Sequence, residues 1–83
     1  MQENKLRSDE IVVGSKSITT YIASVVICFQ DNKQISLSAK EFNEKKLERI
    51  AEMFCNISNI TISSKRREKL DTGEEVLIVT LNR

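Results

Sequence analysis

Eighty-three residues, 40% hydrophobic and 30% charged with a net charge of +1, make one small globular domain and exclude a disordered chain or a second core. There is no histidine, the commonest general base and zinc ligand, and Cys28 and Cys55 stand too far apart for a metal-ligand spacing. No metal, cofactor or catalysis is therefore expected, and no stretch approaches the roughly 18 uninterrupted apolar residues of a membrane span.

Residues 1–10, MQENKLRSDE, are polar and patternless and read as a flexible tail before a single domain over 11–83. They lack the apolar core of a signal peptide, so an intracellular chain is expected. Ile11 to Val13, three β-branched residues, read as a short buried strand. Gly14 follows, at a turn that a side chain would crowd. From there Ile18, Ile22, Val25, Val26 and Phe29 recur at helical intervals, which predicts a helix over 17–30. Ser15 or Ser17 can cap it. Lys16 falls in the turn, where free amides and the positive end of a helix suit a phosphate. A plain solvated loop lysine is the alternative.

Asp31 to Lys33 is a turn, and Gln34 to Ala39 then alternates cleanly. Ile35, Leu37 and Ala39 share one face and Ser36 and Ser38 the other, as in a half-buried strand. A second helix is predicted over 41–55 with the stripe Leu47, Ile50, Ala51 and Phe54. Its outer face, Glu41, Glu44, Lys45, Lys46, Glu48, Arg49 and Glu52, reads as solvated, with Glu41–Lys45 the favourable pair four residues apart. Cys28 and Cys55 lie beside apolar helical neighbours and read as small buried hydrophobes. Tyr21, Phe29, Phe42 and Phe54 all fall in helical patterns, so no aromatic platform is expected.

After a break at 56–59, a third strand begins at Ile60 and runs into the charged stretch SSKRREKLDTGEE. The fourth strand is Val76 to Leu81, and Asp71 to Gly73 is the hairpin tip, with Gly73 left-handed. Lys65, Arg66, Arg67 and Lys69 face Glu68, Asp71, Glu74 and Glu75 in a neutral balance. Strand alternation sorts the signs in part: Lys65, Arg67 and Lys69 share one face, Arg66 and Glu68 the other. Three cations on one ribbon face can each meet a phosphate; a solvated hairpin with internal ion pairs is the alternative. Val76 and Ile78 form a second apolar set on the last strand, and Met53 and Ile57 fall outside the helix stripe. Together they predict a dimer interface.

The order strand, helix, strand, helix, strand, strand, with Ile-Val-Val-Gly14-Ser-Lys16 and then Tyr21-Ile22, resembles the Alba family of small archaeal chromatin and RNA-binding proteins. The likeness covers residues 10–83, and its core is the family's Gly-Lys-Lys-Pro-x-x-x-Tyr-Val opening. Here Ser15 replaces one lysine, Ser17 replaces the proline, and Ala39-Lys40-Glu41-Phe42 stands at the family's Arg-Gly-Arg-type loop. The resemblance implies an α/β two-layer sandwich, with two helices on one face of a four-stranded mixed sheet and strand four beside strand two. It implies a non-enzymatic, chromosome-associated cytoplasmic protein that contacts double-stranded DNA or RNA through its backbone. The expected contacts are the loop lysines Lys16 and Lys40 and the hairpin residues Lys65, Arg66, Arg67 and Lys69. It also implies a homodimer with two hairpin arms, or a mixed dimer with a more basic family member.

Overall fold

The alternation in QISLSAK sets the plan of the molecule, because it gives the strand Gln34–Lys40 one face that must be covered. In the computed structural model, which describes residues 10–57 and 59–83 with the side chain of Ile57 left aside, Ile35, Leu37 and Ala39 are fully buried. This strand is β2, after β1 (Glu10–Val12) and α1 (Ile18–Asp31). A 3-10 turn, Glu41–Asn43, leads into α2 (Glu44–Ile57), then β3 (Thr61–Lys69) and β4 (Glu75–Asn82). The sheet order is β1-β2-β4-β3, with β1 parallel to β2 and the other two pairings antiparallel. Strand four does lie beside strand two. Both helices pack on β2 and on each other, and they share one core with Leu77, Val79 and Leu81 of β4. That is the expected two-layer sandwich.

The helices bury or half-bury what their periodicity selects, with Val26 the exception. In α1, Tyr21, Val25 and Phe29 are buried at intervals of four. Val26, expected in that stripe, is 48% exposed, because the next residue along a helix turns about 100° away from Val25. In α2, Leu47, Ile50, Ala51 and Phe54 are buried as expected. The α-helix starts at Glu44 rather than Glu41, so Glu41 is not one α-turn from Lys45 and the expected pair does not form among the described residues. Ser17 is the N-cap of α1, its Oγ accepting from the Thr20 amide at 3.4 Å. Cys28 and Cys55 are half-buried rather than fully buried.

The edge strands depart more. β1 begins at Glu10, one residue before the expected start, and Val12 is 72% exposed rather than buried. Only one face of β1 meets the helices, so Val13 goes inward and Val12 outward. β3 carries an irregularity between Ile62 and Ser64 and is exposed along its charged length. Charge on an edge strand also discourages edge-to-edge pairing. Gly73 closes the hairpin at φ +91°, the left-handed position expected of it. β4 is paired with β2 from Val76 to Asn82 and with β3 as far as Glu75, so residues 69–75 extend past β2 and only residues 70–74 past the sheet. The part of the hairpin beyond β2 is a short tip. Among the described residues, no helix is long and apolar enough to cross a membrane.

Candidate functional site

Parallel pairing of β1 and β2 brings the ends of both strands to one edge, and with them Lys16 and Lys40. Antiparallel pairing of β4 puts Val76 opposite Lys40, so the hairpin tip lies at the same edge. The loop between β1 and α1 is held from two sides. The Tyr21 hydroxyl accepts hydrogen bonds from the Gly14 amide at 2.7 Å and the Lys16 amide at 3.2 Å. From α2, Lys46 Nζ donates to the carbonyls of Gly14 and Lys16, each at 2.8 Å, and lies 5.9 Å from the Tyr21 ring centre. Gly14 is not left-handed, and a Cβ there would sit 3.4 Å from the Tyr21 hydroxyl, so the crowding expected at this glycine is mild. The backbone of Lys16 is thus pinned while its side chain makes no ion pair among the described residues. A cation held on a fixed backbone and left free in solvent is suited to an anion.

The hairpin cations are in a different state. Their alternation is as expected, since Lys65 pairs in register with Val79 and Arg67 with Leu77, both inward-facing. That face, however, is the one beside α2, whose acids reach its half-exposed cations. Arg67 grips Glu44 with both terminal nitrogens, Nη2 donating to Oε1 at 2.9 Å and Nη1 to Oε2. Lys65 lies 3.8 Å from Glu48, Arg66 2.9 Å from Glu68, and Lys40 3.1 Å from Glu74. The hydrogen bonds from Arg67 hold the Glu44 carboxyl below its ordinary pKa, and Lys40 with Thr72 does the same to Glu74. Lys69 alone of the hairpin cations has no such partner among the described residues. Glu44 and Glu48 are the acids that sequence reading took for solvated. Two like charges four residues apart on a helix are unfavourable by themselves and pay off only against facing cations.

Three other groups bear on the site. Val76 and Ile78 come together on the outer face of the sheet, with Val12, Ser38 and Arg66 around one shallow hollow. Met53 is on the other layer, on the flank of α2 shared with Lys46 and opposite to Glu44 and Glu48. The side chain of Ile57 lies outside the described residues. Phe42, expected in the helix pattern, stands in the 3-10 turn and is 99% exposed. The expectation that no aromatic is presented is corrected there. Its signal was Lys40-Glu41-Phe42-Asn43, a stretch with no apolar partner at helical spacing before Leu47.

No family model and no curated protein sequence matches this chain. Solved structures do. ALBA1 from Trypanosoma brucei superposes with a TM-score of 0.85 at 10% identity, over 94% of this chain and 72% of that one. Alba from Thermoplasma volcanium superposes with a TM-score of 0.71 at 20% identity, over 89% of this chain and 99% of the other. The element order, the four-stranded mixed sheet and these superpositions agree: the chain has the Alba fold.

Proposed function

We propose that this protein binds the backbone of DNA or RNA with little regard to sequence, as a chromosome-associated architectural protein of the cytoplasm and not as an enzyme. The observation that carries the reading is the loop at Gly14–Ser17, where Tyr21 and Lys46 fix the backbone and the Lys16 ammonium has no ion pair among the described residues. Lys16 and Lys69 are the first contacts, and Lys40 joins them by exchanging Glu74 for a phosphate. Lys65, Arg66 and Arg67 are reserve cations, since each must first give up a carboxylate. A homodimer sets two such edges at a fixed distance, with the outer-face residues Val76 and Ile78 and the α2 residues Met53 and Ile57 as the expected contacts. A mixed dimer with a more basic partner is the second reading, favoured by the pairing of so many cations with acids.

Titration of a labelled duplex at low and high salt tests the proposal. Two to three phosphate contacts per subunit give a log–log slope of about −2 to −3, at roughly −0.9 per contact. A slope near zero, or binding of neither the duplex nor its single strand at about 50 mM salt, overturns it. Binding that appears only when a more basic partner is added selects the mixed dimer.

A further inference from the structure

We infer that Phe42 is a stacking platform for an unpaired base, which makes single-stranded nucleic acid the preferred ligand of this edge; the inference rests on the nucleic-acid reading above. Phe42 is 99% exposed, more than any other large hydrophobic residue described. Apart from Leu70 in the hairpin tip, the remaining exposed large hydrophobic residues lie on sheet or helix faces, whereas Phe42 stands on the 3-10 turn between β2 and α2. That turn is at the edge shared by Lys16 and the hairpin tip. The ring borders two hollows. One is lined by Lys40, Lys69, Gly73, Glu74 and Glu75, the other by Lys45, with Glu41 common to both.

The charges around the ring decide between a protein partner and a nucleic acid, and between one strand and two. The surroundings are ionic rather than apolar, unlike the closely packed apolar centre of a protein interface. Lys45 and Lys69 carry no carboxylate partner among the described residues and border different hollows beside the ring, where each can meet a phosphate next to a stacked base. Yet Lys40, Lys45 and Lys69 are balanced by Glu41, Glu74 and Glu75, so counterion release alone cannot hold a duplex strongly here. Stacking on an aromatic face supplies affinity that does not depend on net charge and is indifferent to sequence, because every base has a π-face. A duplex keeps its bases stacked on one another and cannot use the ring. The exposed hydrophobe and the neutral surface therefore point to the same ligand, an unpaired strand.

The test is fluorescence anisotropy with a labelled mixed-sequence single strand and the blunt duplex of the same sequence, using wild type, Phe42→Ala and Phe42→Trp. The full exposure of the side chain leaves folding intact, which a thermal melt checks. Phe42→Ala is expected to weaken single-strand binding by about tenfold or more, within the range for one base–aromatic stack, and to leave duplex binding unchanged. Phe42→Trp is expected to retain single-strand binding, with its indole fluorescence quenched on addition of the strand. Equal loss on both ligands, no loss on either, or an unquenched indole overturns the inference while the nucleic-acid reading stands. A change in sedimentation of Phe42→Ala with binding unaltered assigns the ring to contact with a second copy instead. If wild type binds neither ligand, both readings fail together.

Discussion

The loop after β1 and the edge strand β3 are both cation-bearing, and the fold treats them oppositely. At the loop, Tyr21 and Lys46 take hold of the backbone, and the Lys16 side chain has no ion pair among the described residues. On β3, the side chains of Lys65, Arg66 and Arg67 are each engaged by a carboxylate, two of them from α2. One lysine on a pinned backbone can thus be worth more to an anionic ligand than three cations on a ribbon. A surface ion pair adds little stability but does neutralise the charge. What decides availability is the element packed opposite, and counting cations along a strand misses it.

Removing what pins the loop should have the largest effect. Tyr21 is buried, so Tyr21→Ala is expected to cost about 3–5 kcal/mol in a urea titration, as for other large aromatics cut to alanine. Tyr21→Phe keeps the ring but strips the acceptor from the Gly14 and Lys16 amides, at about 1–2 kcal/mol. If both variants are as stable as wild type, the loop is not built on Tyr21 and the contrast with β3 collapses. Lys46→Met comes next, at about 1 kcal/mol for two charged hydrogen bonds near the surface, with weaker nucleic-acid binding because Lys16 loses its fixed backbone.

The β3 side of the comparison is sharpened by releasing its cations. Glu44→Gln with Glu48→Gln should leave thermal stability nearly unchanged and tighten duplex binding, steepening the salt slope by about 1–2 as Arg67 and Lys65 become free. An unchanged slope means that the face of β3 turned to α2 is out of reach of any duplex. The smallest effect is the pH dependence. The Glu44 pKa is lower in the folded protein, so the Arg67 pair is complete above the ordinary value of 4.5 and is lost as pH falls through the depressed one. Thermal melts of wild type and Glu44→Gln should keep a constant separation above that value and converge below it.

Much of the fold was legible because it is written in periodicity. The alternation of Ile35, Leu37 and Ala39 and the stripe Leu47–Ile50–Ala51–Phe54 each bury the residues that spacing selects. The strand alternation of Lys65 and Arg67 was legible too, but not the direction that face looks in. Nothing in the local sequence says that Glu44 and Glu48, about twenty residues upstream, stand across from it. Lys46 was hidden for the same reason: its partners, the carbonyls of Gly14 and Lys16, are backbone groups that carry no sequence signal. Phe42 was misread because a helix assumed to begin at Glu41 places it on a turn of α-helix, whereas the 3-10 turn there frees it. Val12 was misjudged because a three-residue strand shows too little pattern to reveal that it is an edge.

The central claim proposed is that Lys16, without an ion pair among the described residues, and not the paired cations of β3, makes contact with the nucleic-acid backbone. The most direct measurement is the salt dependence of duplex affinity for wild type, Lys16→Ala and Arg67→Ala side by side. Lys16→Ala should flatten the log–log slope by roughly 0.9 while stability stays within about 0.5 kcal/mol of wild type, and Arg67→Ala should leave the slope where it was. A slope untouched by Lys16→Ala, or flattened as much by Arg67→Ala, would contradict the account.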